Sequence, residues 1–301
     1  MDIIESDGTD SIFMTRPKPA RAGLNNQKMC LFGLLSFAKQ KGGGAILPSK
    51  IIDFSAKKSE LVEHSWVDIA EVFDIGKVKS WMQSENLSRP SSPGRIMVPW
   101  KQCFDYGCEA IADPDNVEFF GRFLGALRAS PPLRDLASNI SKYLGNNTAA
   151  VQLRVEEDWQ HHARKLLEKK PGGTFLLTPY DILIKVANTP ELKGYKRWLV
   201  FCDQKAMPWT TEEIKDEARD RLGIDLIFKS DLMDKFRFPE SSIKNANLDF
   251  EIGLLTPAYV GLHQSSFSNM LYRTAKLLLE SEPAHYLYSV PGPFAKKRVA
   301  M

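Results

Sequence analysis

Apolar positions in this chain alternate between helical spacing and short continuous runs. Leu31, Leu34, Leu35 and Ala38 recur at helical spacing within Met29–Lys41, and Gly42-Gly43-Gly44 ends that run. Ala45–Pro48 then reads as a short buried strand, and helical spacing returns over Val67–Met82, Asn116–Ala129 and Pro132–Leu144. Gly145-Asn146-Asn147-Thr148 breaks the pattern and marks the expected domain boundary. Beyond it the alternation becomes regular. Strands are expected at Ala149–Val155, Trp198–Cys202, Ile224–Phe228, Ala258–Leu262 and His285–Val290. Helices are expected over Glu157–Lys169, from Thr178-Pro179, over Thr210–Leu222 and Asn247–Leu255, and from the polar loop His263-Gln264-Ser265-Ser266 through Leu279. Such alternation over about 150 residues fits a Rossmann-like α/β layer structure. No fixed-period repeat or low-complexity segment interrupts it.

Composition narrows the class. The 301 residues are 43% hydrophobic and 26% charged, as in ordinary globular chains, and are enough for two domains. With 40 basic against 37 acidic residues and no polybasic block, nucleic acid is not an expected partner. No apolar run approaches the roughly 20 residues that span a bilayer, so no membrane span is expected. Met1–Thr15 is polar and acidic, reads as a mobile tail, and lacks a secretory pattern; a cytoplasmic location is the expectation. Cys30, Cys103, Cys108 and Cys202 are scattered, and no second pair completes a zinc site around Cys103 and Cys108, so free thiols are expected.

Three segments carry candidate chemistry. Gly23-Leu24-Asn25-Asn26-Gln27 precedes the first helix, where glycine allows close approach and free amides favour an anion; a plain helix cap is the simpler reading of those residues alone. The strand ending Val151-Gln152-Leu153-Arg154-Val155 places a guanidinium where a parallel sheet meets its ligands, and it can pair with phosphate or carboxylate. Glu156, Glu157 and Asp158 follow, as a base or, more simply, as acids favoured by a helix dipole. Ser265-Ser266-Phe267-Ser268 offers hydroxyls and helix-end amides to a phosphate, and serine is equally a common cap. Asp203, closing the Trp198 strand, reads as a ligand acceptor or a turn cap. Walker, nucleophile-elbow and zinc-protease motifs are missing, which disfavours the common NTPases, α/β hydrolases and zincins.

In order and spacing, these segments resemble the protein O-fucosyltransferase family and its plant-type, α1,6- and nodulation fucosyltransferase relatives. Gly23 to Gln27 with Ala45-Ile46-Leu47-Pro48 is similar to the family's N-terminal Gly-x-x-Asn-Gln segment, helix and proline-ended strand. Val151–Trp159 is similar to its His-x-Arg strand, and Leu248-Asp249-Phe250 through Ala258-Tyr259-Val260-Gly261 to Ser265-Ser266-Phe267 to its C-terminal motif; the likeness spans about residues 20 to 280.

The resemblance implies an α/β GT-B architecture, with two Rossmann-like domains facing across a cleft. The expected divisions are a flexible tail over 1–16, an acceptor-side domain over 17–147 and a nucleotide-sugar domain over 148–301, whose last helix can pack back on the first. It further implies inverting transfer of fucose from GDP-fucose to a hydroxyl of a protein or oligosaccharide acceptor, with no cofactor and no obligatory metal. Arg154 would take the β-phosphate and assist its departure; Asn25 and Asn26 would approach the donor from the N-terminal side. Ser265, Ser266 and the Phe267 amide would hold the diphosphate, with Gln152, Asp158, Asp203 and Asp249 completing the donor-binding set. Two positions depart from the family: Gln152 stands for its histidine, and Pro257 for an aspartate that recognises guanine. The alternative is therefore a degenerate member that binds a nucleotide or glycan without turnover.

Overall fold

The structure is a computed structural model that describes residues 11–18, 23–53, 65–88, 94–169, 176–279, 282–288 and the backbone of 295–296. The chain forms two compact units, residues 1–134 with 239–248, and residues 135–238 with 249–300.

In the first unit, β1 (Ser11–Met14) is the central strand of a parallel sheet, ordered β2-β1-β5, with β2 (Gly44–Ile46) and β5 (Gly94–Met97). This corrects part of the expected tail: Ile12 and Phe13 are buried, and Phe13 pairs in register with Ala45 and Ile96. α1 (Leu24–Gln40) begins a turn and a half earlier than its apolar spacing predicts, because Asn25 to Lys28 join the helix although they are polar. It crosses α4 (Trp100–Ala112), a helix the apolar spacing does not reveal, backbone to backbone. A Cβ on Gly33 would stand 1.8 Å from the Cys103 carbonyl oxygen, and one on Gly107 would stand 2.5 Å from that of Met29. Only glycine permits that crossing.

The helix expected over Val67–Met82 is instead three elements. β4 (Ser65–Asp68) pairs antiparallel with β3 (Lys50–Asp53), and α2 (Ile69–Val72) and α3 (Ile75–Ser84) follow. Asp68 and Asp74 stop and restart the chain by accepting the amides of Ala70 and Lys77, a competition that hydrophobic spacing does not register. α5 (Val117–Ala126) adds Phe119, Phe120 and Phe123, which pack around Phe32. Each such buried ring contributes roughly 2–3 kcal/mol of transfer free energy.

α6 (Pro131–Leu144) leads into the second unit. Its elements are β6 (Thr148–Gln152), α7 (Glu157–Lys169), α8 (Pro179–Asn188), β7 (Arg197–Phe201), α9 (Thr211–Leu222), β8 (Asp225–Ile227), α10 (Ser242–Leu255), β9 (Tyr259–Leu262), α11 (Ser266–Leu278), β10 (His285–Tyr288) and β11 (Ala295–Lys296). The sheet order is β11-β10-β9-β6-β7-β8, with only β11 antiparallel. Ala149, Ala150 and Val151 are fully buried, as expected of a strand covered on both faces. From β6 the chain adds β7 and β8 on one side, then returns to add β9 and β10 on the other. The order therefore reverses between β6 and β9, and a doubly wound sheet receives ligands at the carboxyl ends beside that reversal.

Candidate functional site at the carboxyl edge of the six-stranded sheet

Gln152 and Arg154 leave β6 at the reversal point, and Ser265 and Ser266 follow β9 on its other side. The Arg154 backbone is pinned from β10: its N–H donates to the Tyr288 hydroxyl at 3.0 Å, and that hydroxyl donates to the Gln152 carbonyl at 2.8 Å. The guanidinium is held by two acids. Its Nη1 donates to Glu156 Oε2 at 2.8 Å and to Asp158 Oδ1 at 3.2 Å, and its Nη2 donates to Asp158 Oδ2 at 2.8 Å. Burial works against the Arg154 charge, but Glu156 and Asp158 outweigh it and hold the group above its ordinary range. The Nε–H and the second Nη2–H are outside these three bonds, so one edge of the fork points away from both acids.

The two acids differ. The Glu156 side chain is 5% exposed, and its Oε1 accepts the Asp203 backbone N–H at 3.1 Å, tying the end of β6 to that of β7. The Asp158 side chain is 55% exposed in the first turn of α7, where it also accepts the Trp159 amide. Asp203 accepts the Lys205 amide at 3.2 Å, so its side chain caps a short turn, the simpler of the two roles expected for it.

Gln152 Oε1 accepts from Ser268 Oγ at 2.9 Å and from the Tyr259 hydroxyl at 3.3 Å, and these two hydroxyls lie 3.0 Å apart. The triangle needs Gly261, since a Cβ there would meet Ser268 Oγ at 2.2 Å. With its oxygen engaged, Gln152 has an amide NH₂ to offer a ligand.

Ser265 is the N-cap residue of α11 but makes no side-chain cap bond, and Ser266 is exposed. The first amides of a helix have no intrahelical partner, so this end can accept an anion. The Phe267 ring packs against Phe250 and Phe201, which fixes the turn and leaves its amide, not its ring, for chemistry.

Beyond β8, Lys229 Nζ pairs with Asp249 Oδ2 at 2.8 Å, while Asp249 Oδ1 is buried without a hydrogen-bond partner. Burial raises the Asp249 carboxyl above its ordinary range, and Lys229 only partly offsets it. Between the two ion pairs lies the Cys202 thiol, pushed well above its usual range by burial and then by Glu156. Pro257, expected opposite the guanine base, precedes β9 at its amino end. There it lines a small cavity with Gly145, Asn146 and Thr148. Position 257 thus lies at the amino ends of β6 and β9, away from Arg154 and Ser265, whereas Asp249 pairs with Lys229 just past the carboxyl end of β8.

Asn25 and Asn26 belong to the first unit. Gly23 is the N-cap residue of α1 without a side-chain bond, leaving the amides of the first turn unpaired within the helix. Asn25 is buried, and its Oδ1 has no partner; Asn26 is half-buried. Gln27 is a structural clamp: its side chain donates to the Ile52 carbonyl at 2.8 Å and accepts the Ile52 amide at 3.1 Å.

Sequence reasoning missed Tyr288 and Lys229, and the hold of Tyr259 and Ser268 on Gln152, because these depend on contacts 9 to 136 residues away along the chain. The Arg154 and Glu156 pairing was within reach, as residues two apart straddling a strand end. Cys103 is buried in α4 and Cys108 is exposed; none of the four cysteines is in a disulfide, in line with the expectation.

No protein-family model matches this sequence, and no curated protein matches it. Solved structures do. POFUT1 in complex with GDP superposes with a TM-score of 0.60 at 16% identity, covering 95% of this chain and 100% of that one. POFUT1 with GDP-fucose gives 0.60 at 15% identity over 95% and 100% in one crystal form, and 0.58 over 93% and 98% in another. The chain thus shares its α/β fold with POFUT1, and the resemblance carried by its three motifs is matched at the level of fold alone.

Proposed function

We propose that this chain is a glycosyltransferase that moves fucose from GDP-fucose, with inversion, to a hydroxyl of a protein or glycan acceptor. One observation carries the reading: Arg154 and the Ser265-to-Phe267 helix end flank the point of strand reversal, where a doubly wound sheet receives a phosphate. The Nε and Nη2 edge of Arg154 meets the β-phosphate, and the first amides of α11 with the two serine hydroxyls take the remaining oxygens. As the sugar–phosphate bond breaks, charge grows on the leaving diphosphate. A fixed guanidinium and helix-end dipoles stabilise that charge more than they stabilise the intact donor. Asp249 Oδ1 is the acceptor for donor N–H groups on the guanine edge, which would supply the partner it lacks. Gln152 donates its amide to the donor where the family uses an imidazole. By the resemblance, Asn25 and Asn26 are the remaining donor-binding candidates, Asn26 through its half-buried side chain. The leaving phosphate or water takes the acceptor proton, and no step requires a metal.

Gln152 favours a second reading, a nucleotide or glycan binder without turnover, because an amide cannot exchange a proton as a histidine does. A melting-temperature panel with GDP, UDP, GDP-fucose and GDP-mannose, followed by a transfer and hydrolysis assay, separates the two. Selective stabilisation by GDP and GDP-fucose with release of GDP supports the enzyme. Binding without release supports the binder, and no shift with any nucleotide refutes the enzyme and leaves only a glycan binder.

A further inference from the structure

The two acids on Arg154 are not equivalent, and the difference bears on how a donor enters the site; the inference rests on the donor reading above. We propose that Asp158 is a competing anion built into the site: it occupies the Arg154 fork in the free protein and surrenders it to the donor's diphosphate. The guanidinium carries one positive charge against two carboxylates at 2.8 Å, a net negative environment that opposes a diphosphate. The Nε and Nη2 edge can meet a phosphate with both acids in place, and the departure of one acid makes the whole fork more attractive to it. Glu156 cannot leave without burying an unpaired carboxylate and orphaning the Asp203 amide that its Oε1 accepts.

Asp158 can leave. Its side chain is 55% exposed, so water can take the guanidinium's place as its partner, which the buried Glu156 carboxylate has no means of doing. Its place in the first turn of α7 leaves a charge rotated toward solvent still favoured by the helix dipole. Withdrawal frees one N–H each on Nη1 and Nη2, which add to the Nε–H and the second Nη2–H already outside the acid pairs. Glu156 stays behind to aim the guanidinium. A diphosphate anchored elsewhere by its nucleoside pays for this exchange once, whereas inorganic phosphate, with no second anchor, does not. Asp158 therefore acts as a filter for nucleotide-borne anions.

The test is calorimetric titration of GDP into the wild type, Asp158→Asn, Asp158→Ala and Arg154→Ala at one low salt concentration, with inorganic phosphate as a second probe. Asp158→Asn keeps an oxygen for the Trp159 amide, and apo melting curves of every variant verify the fold. The expected result is GDP binding at least about fivefold tighter in both Asp158 variants. A detectable gain in phosphate binding and a lower donor KM without a rise in kcat accompany it, and adding Arg154→Ala to Asp158→Asn abolishes the gain. Equal or weaker GDP binding in the folded Asp158 variants overturns the filter while leaving the donor site intact. Absence of GDP binding in wild type and variants alike overturns both.

Discussion

The start of α1 and the carboxyl edge of the six-stranded sheet both offer helix-end amides beside polar side chains, yet they use those side chains differently. At the sheet edge nearly every polar group is held by another: Arg154 by Glu156 and Asp158, Gln152 by Ser268 and Tyr259, and the Arg154 backbone by Tyr288. At the start of α1, Gln27 faces inward and clamps Ile52, Asn25 is buried, and only Asn26 is half-buried. A polar motif can thus mark chemistry in one region and mostly architecture in the other. What separates them is the direction of each side chain, which depends on the elements packed around it.

The largest effect that would break this contrast is on turnover. Arg154→Ala is expected to lower transfer by roughly 10²–10³-fold, the usual cost of removing one preorganised donor to a developing oxyanion. A steady-state assay that finds near wild-type kcat would remove the sheet edge from the mechanism. Gln27→Ala should instead act on the fold, leaving the buried Ile52 amide and carbonyl unpaired at a cost of about 2–4 kcal/mol in chemical denaturation. Undiminished stability there would show that the clamp is ornamental. Asn26→Ala sharpens the distinction within one motif: transfer falls by about tenfold while the melting temperature stays within a few degrees. A variant that melts early but keeps its specific activity would place Asn26 with Gln27 as architecture.

The smallest effect concerns pH. Burial pushes the Cys103 thiol from 9.0 up to about 11. The unfolded chain then releases this proton first. The thiol's contribution is fully present below about pH 9 and is lost as pH rises through about 11, up to roughly 3 kcal/mol in all. Cys103→Ala should flatten the alkaline limb of a stability-versus-pH curve from unfolding titrations, and an unchanged limb would assign it to other groups.

The regular second half of the chain was legible because buried parallel strands are continuous apolar runs and its helices start with strong caps. Thr178 with Asp181 and Thr210 with Glu213 form the reciprocal bonds that their spacing announces. The first half resisted for identifiable reasons. β1 has only four residues inside a polar stretch, and its burial comes from flanking strands supplied by residues 44–46 and 94–97. Val67–Met82 carries helical spacing, but two aspartates cut it into separate elements. Arg154, Ser265, Ser266 and Asp249 were singled out from the sequence, and the fold puts Arg154 and the two serines just beyond the carboxyl ends of β6 and β9. Pro257, aligned with the family's guanine-recognising aspartate, lies instead at the amino end of β9, beside Gly145 and Thr148.

The sequence by itself determined which residues could carry charge at strand ends, the alternation that makes an α/β fold, and the order of motifs that resembles fucosyltransferases. These are local properties, set by side-chain chemistry and spacing along the backbone. Only the tertiary structure decided that β6 and β9 flank the strand reversal, that Glu156 is buried on Arg154 while Asp158 is exposed, and that Tyr288 reaches back across 134 residues to the Arg154 backbone. Strand order, burial and long-range hydrogen bonds follow from how distant segments share one core, and no local pattern encodes that choice.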